Sequence, residues 1–77
     1  MQKTIDLRLY ASLQQYMPAD AAQYAIEPGI RIADIVHRLK IPLAQSKLIF
    51  INGIKKDLDT ALTGGELVAI FPPIGGG

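Results

Sequence analysis

The stretch KLIFINGIKK, residues 47–56, decides the fold. An apolar run ends at Ile51, Asn52-Gly53 follows, and Ile54, Lys55 and Lys56 resume the extended pattern. A type I′ turn needs positive φ at both central residues, which Asn-Gly tolerates at little cost. The stretch therefore predicts a β-hairpin with a two-residue turn. Lys55 and Lys56 mark its second arm as a short edge strand kept soluble by charge, with contact to an acidic partner as the alternative role.

Working outward toward the C-terminus, Asp59 to Leu62 is expected to form a short turn and Gly64-Gly65 another. ELVAIF, residues 66–71, is then a final strand whose β-rich composition suggests burial on both faces. On the N-terminal side, Ile32, Ile35, Val36 and Leu39 fall on the i, i+3, i+4, i+7 stripe of an amphipathic helix. Asp34 lies early in it, Arg38 and Lys40 late, and Pro42 just beyond. AQYAIEPG, residues 22–29, reads as a strand stopped by Pro28 and Gly29. SLQQYMP, residues 12–18, reads as one helical turn capped by Ser12 and stopped by Pro18. Ile5, Leu7 and Leu9 alternate with Asp6, Arg8 and Tyr10, the period of a half-buried first strand. Strand, strand, helix, strand, short strand, strand describes a two-layer α+β domain: a β-grasp arrangement, with a mixed sheet and one main helix packed across it.

Size and composition narrow the function. A 77-residue chain is one domain that buries roughly 60% of its unfolded surface, which argues against an enzyme with its own enclosed pocket. With no cysteine it has neither disulfides nor a thiolate metal site, and it cannot carry sulfur as a cysteine persulfide. Eight basic and seven acidic residues, scattered without a stripe, lack the footprint of a nucleic-acid binder. The longest apolar run, LVAIF, is far below the ~20 residues that span a bilayer, and the N-terminus lacks a signal-peptide core. The expectation is a soluble, unexported, cytoplasmic protein that binds neither nucleic acid nor membrane.

INGIKKDLDTALTGGELVAIFPPIGGG, residues 51–77, resembles the C-terminal half of the ubiquitin-like sulfur-carrier proteins, the small subunit of molybdopterin synthase and its thiamine-pathway relative. Their pattern is an apolar residue, Asn-Gly, a spacer, Leu, a Gly-centred turn, a β-strand and a terminal Gly-Gly. The double proline is more similar to the molybdopterin branch. Gly64-Gly65-Glu66 stands where that family commonly has Asp-Gly-Asp, Arg31 where it often has a capping Thr, Gln14 where the molybdopterin branch often has Arg, and Gly75 replaces a small side-chain residue.

The resemblance implies a β-grasp domain over residues 1–73 and a flexible glycine tail over residues 74–77. It implies that an E1-like adenylating enzyme uses ATP to activate the Gly77 carboxylate, and that a sulfur donor converts it to a thiocarboxylate. A synthase large subunit then accepts the sulfur, and the carrier itself binds no cofactor and no metal. Gly75, Gly76 and Gly77 lack Cβ, so the tail fits a narrow crevice and leaves the attacked carbonyl unshielded. Pro72 and Pro73 have no N–H for a sheet and are expected to end pairing and stiffen the root of the tail. Tyr10 and Phe71 are either core aromatics or, as the resemblance implies, side chains that pack on a partner enzyme together with Pro72 and Pro73. The lone histidine, His37, is assigned no role. The alternatives are a ubiquitin-like modifier joined to lysines through Gly77, a thiamine-pathway carrier, and an interaction module with an inert tail.

Overall fold

The computed structural model describes residues 3–46 and 48–73. Five strands form one sheet: β1 (Lys3–Leu9), β2 (Tyr24–Ile26), β3 (Leu48–Ile51), β4 (Ile54–Lys56) and β5 (Leu67–Phe71), in the spatial order β2-β1-β5-β3-β4. β5 runs parallel to β1 and antiparallel to β3, and the two outer pairs are antiparallel hairpin-like pairings. The helix α1 (Ile32–Arg38) covers one face of this mixed sheet. This is the expected ubiquitin-like β-grasp.

The core follows from the two periodicities. Ile5, Leu7 and Leu9 of β1, Ile49 and Ile51 of β3, and Val68 and Ile70 of β5 all point to the covered face, where Ile32, Ile35 and Val36 of α1 meet them. Each such side chain contributes roughly 1.5–3 kcal/mol on burial. Leu39, which closes the apolar stripe, is half-buried as the helix cap.

The hairpin forms as expected, with φ of 53° at Asn52 and 82° at Gly53. Asn52 also does something its turn role did not foretell. Its side-chain Oδ1 accepts from the N–H of Leu67 at 2.9 Å while its own N–H donates to the Leu67 carbonyl at 2.9 Å. The hairpin turn thereby clamps the first residue of β5.

Three local expectations need correction. The turn after Val36 to Arg38 is a Schellman cap: Ile41 N–H donates to Val36 C=O and Lys40 N–H to His37 C=O, so Lys40 adopts φ of 61°, a place usually given to glycine. Ser12 caps nothing. The turn of 3-10 helix is Ala11–Tyr16, and Tyr10 precedes it, its carbonyl accepting from Leu13 N–H. The turn placed at Asp59 to Leu62 sits earlier, because Asp57 Oδ1 accepts from Asp59 N–H and its carbonyl from Thr60 N–H. Leu62 is fully buried instead, and its N–H donates to the Ile30 carbonyl.

The same segment completes α1. Thr60 and Leu58 carbonyls accept from the N–H groups of Ile32 and Ala33, donors that the helix cannot satisfy itself. At Arg31 the Asp34 carboxylate accepts the backbone N–H at 3.1 Å, which is half of a capping box. A guanidinium has no acceptor, so the other half is absent.

The Gly64-Gly65 turn forms with φ of 118° and 86°. Glu66 holds it shut: its carboxylate accepts from Thr63 N–H at 2.8 Å, Gly64 N–H at 2.7 Å and the Thr63 hydroxyl at 3.1 Å. Partial burial pushes this carboxyl upward, but the donated hydrogen bonds outweigh that and hold it below its ordinary range.

A Cβ on Gly64 would lie 2.8 Å from Lys3 Cβ at a left-handed φ, so Gly64→Ala should cost about 2–3 kcal/mol in chemical denaturation. Lys40→Gly should instead stabilise by about 0.5–1 kcal/mol, because the αL strain is removed. For Glu66 the folded carboxyl titrates lower than the unfolded one. Its stabilisation is therefore present above the unfolded value and lost as pH falls through the folded value. Glu66→Gln should be less stable than the parent near neutrality, and the difference should close on acidification.

Candidate functional site

β5 occupies the centre of the sheet, and its residues divide by face. Val68 and Ile70 are fully buried, whereas Ala69 and Phe71 are half-buried and Leu67 is 39% exposed. The expectation of burial on both faces is thus corrected: one face is dry core, and the other is apolar yet uncovered.

Register brings further side chains onto that open face, since directly paired residues share a face. Ala69 lies opposite Arg8 in β1 and Phe50 in β3, and Phe71 lies opposite Leu48. Tyr10, just past β1, stacks on Phe71 with ring centroids 4.4 Å apart and planes within 5°. Phe50 meets the same ring edge-on at 5.7 Å and 89°. Phe50, Gly53, Leu67, Ala69 and Phe71 line an almost wholly apolar depression of about 290 Å³.

The face has a charged margin. Arg8 donates from Nε and Nη2 to the two Asp6 carboxylate oxygens at 3.2 and 3.0 Å, and this hydrogen bond holds the Asp6 carboxyl below its usual range. Both groups are open to solvent, so the pair adds little stability and serves to orient charge beside Tyr10.

Tyr10 and Phe71 are therefore brought together, half-buried, as part of one aromatic platform. β5 ends at Phe71, and Pro72 and Pro73 lie outside the strand as expected. Pro72 is half-buried and Pro73 exposed, beside a shallow hollow shared with Ser12, Ala44 and Gln45. Gly75, Gly76 and Gly77 lie outside the described residues. Sequence reasoning missed Phe50, Leu67 and Ala69. The available signal was their alternation with the core residues Ile49, Ile51, Val68 and Ile70 once β3 and β5 are paired. His37 is exposed on α1, and among the described residues no cluster of three or more His, Cys, Asp or Glu could hold a metal. Among those residues no helix is long and apolar enough to cross a membrane.

The arrangement offers an apolar, aromatic surface for contact with another molecule, at the end of β5 where Pro72 and Pro73 follow. Comparison with known proteins agrees with the fold. The family model described as Mut7-C ubiquitin matches residues 2–75. No curated protein matches the chain by sequence. The solution structure of the Haloferax volcanii HVO 2177 protein is 18% identical with a TM-score of 0.76, over 99% of this chain and 88% of that one. A Pyrococcus furiosus protein assigned as molybdopterin converting factor subunit 1 is 22% identical with a TM-score of 0.64, over 94% and 99%. SAMP1 from Haloferax volcanii is 19% identical with a TM-score of 0.66, over 96% and 99%.

The stack is testable in isolation. A double-mutant cycle with Tyr10→Ala and Phe71→Ala should return a coupling of about 0.5–1.5 kcal/mol in denaturant unfolding. Additive losses would contradict the contact.

Proposed function

We propose that this chain, which belongs to the Mut7-C ubiquitin family, is a sulfur carrier that works through the carboxylate of Gly77. The observation that carries the reading is the aromatic platform at the end of β5. Tyr10, Phe50 and Phe71 form an uncovered apolar surface whose last residue leads directly into Pro72-Pro73 and the residues 74–77. A partner that docks on this face receives the tail at a fixed root, and a short stiff lead restricts where the glycines can reach.

The chemistry asks little of the carrier's own side chains. An E1-like adenylating enzyme supplies the site in which a Gly77 carboxylate oxygen attacks the α-phosphorus of ATP and expels pyrophosphate. Hydrosulfide released by a sulfur donor then attacks the acyl carbon and expels AMP, with loss of a proton, which leaves a thiocarboxylate. The sulfur-accepting large subunit of a molybdopterin-synthase-type enzyme takes up that sulfur, and hydrolysis restores the carboxylate. Glycines at 75–77 suit each step, because no Cβ crowds the reacting carbonyl. Molybdopterin is the preferred destination on two grounds: the double proline, and a fold neighbour assigned as molybdopterin converting factor subunit 1.

The test is intact-protein mass spectrometry of the chain incubated with its adenylating enzyme, ATP and a sulfur donor. The expected product has one oxygen replaced by sulfur. A variant lacking Gly77 should keep its fold and accept no sulfur. Phe71→Asp should slow the exchange by about tenfold or more, since a charge is placed in the centre of an apolar contact. Sulfur uptake by the Gly77 deletion would overturn the reading, and attachment of the intact chain to lysines of other proteins would replace it with the modifier function.

A further inference from the structure

Strand β4 closes the sheet on the side opposite β2, and all three of its residues are exposed. Its pairing with β3 runs Ile51↔Ile54, Phe50↔Lys55, Ile49↔Lys56. In a hairpin with a two-residue turn the first and third of these pairs exchange hydrogen bonds, so the N–H and C=O of Lys55 face outward. The edge therefore offers an unused donor and acceptor to an added strand.

Beside this edge, on the helix side, lies a groove of about 510 Å³ lined by Leu43, Ala44, Ile49 and Leu58, with Lys56 at its rim. Leu43 and Ile54 are each 60% exposed. Lysine on an edge strand prevents unwanted pairing, which accounts for the charge. It does not account for two large aliphatic side chains left uncovered next to it. Lys55 and Lys56 lie on opposite faces of the strand, because their partners Phe50 and Ile49 do. Among the described residues neither lysine is in an ion pair. The neighbouring Asp57 carboxylate is turned to the backbone: its Oδ1 accepts from Asp59 N–H at 3.0 Å and from the Thr60 hydroxyl at 3.3 Å.

We propose that the β4 edge and its groove receive a short extended segment of a partner protein, with apolar side chains on the groove face and carboxylates on the opposite face toward Lys55, added to the sheet as a sixth strand. Backbone pairing to Lys55 supplies alignment, alternate side chains supply selectivity, and the Lys55 ammonium selects acidic residues on its face. The groove lies on the helix side of the sheet, whereas Tyr10 and Phe71 stack on the other face.

The probe is a blocked octapeptide of alternating valine and glutamate, titrated into the isotope-labelled full chain and followed by amide NMR. Shifts are expected at Leu43, Ile54, Lys55, Lys56 and Leu58, and not at Tyr10 or Phe71. The double variant K55E/K56E, which changes only exposed side chains, should keep the parent spectrum elsewhere and bind about tenfold more weakly. A peptide with N-methylated central amides should not bind, because strand pairing is blocked. The proposal is overturned if the valine–glutamate peptide leaves these amides unmoved at millimolar concentration, if a valine–lysine peptide binds equally well, or if the shifts centre on Phe71.

Discussion

Strand β5 must satisfy β1 on one side and β3 on the other while dividing its own side chains between a dry face and an open one. Its start is held twice. Asn52 brackets Leu67 through both its side chain and its backbone, and the Glu66 carbonyl accepts the Asp6 N–H at 2.9 Å while the Glu66 carboxylate closes the preceding glycine turn. A slip of one residue would turn Val68 and Ile70 out of the core and bring Ala69 and Phe71 into it. The hairpin, the Gly64-Gly65 turn and the parallel pairing with β1 all fix the same register, and the position of the aromatic platform follows from it.

The two halves of the molecule differ in what they do with apolar surface. On the helix side, Ile32, Ile35 and Val36 are fully buried against the sheet, and the N–H groups of Ile32 and Ala33 are tied to the carbonyls of Thr60 and Leu58. On the other side Tyr10, Phe50, Leu67, Ala69 and Phe71 remain uncovered. A chain of this size has few large apolar residues to spare, and a contiguous patch of them on the surface marks a place where a partner sits. Its position at the root of Pro72-Pro73 is the feature on which the proposed carrier function rests.

Much of this was legible beforehand, and the physical reasons are specific. Asn52-Gly53 announces a left-handed pair of residues that few other dipeptides accept, and the stripe Ile32, Ile35, Val36 has one period. LVAIF is different: a strand buried on both faces and a strand with one face held apolar for a partner have the same composition, and only pairing with β1 and β3 distinguishes them. The end of α1 was displaced because Lys40 takes a conformation for which glycine is the usual signal. Leu62 was read into a turn because Asp57, not Asp59, starts it, through a side-chain hydrogen bond that leaves no periodic trace. Glu66 stood out only as the surviving acidic residue of a motif, and its role as the acceptor of three hydrogen bonds emerges from the fold.

The central claim is that the open face of β5, and not the helix-covered side, is where the activating partner binds. Cross-saturation NMR on the labelled chain in complex with its unlabelled adenylating enzyme tests it most directly. The account predicts transfer concentrated at Leu67, Ala69, Phe71, Tyr10 and Phe50, with Ala33, His37 and Arg38 of α1 unaffected. Transfer concentrated on α1 instead, with the platform silent, would contradict it.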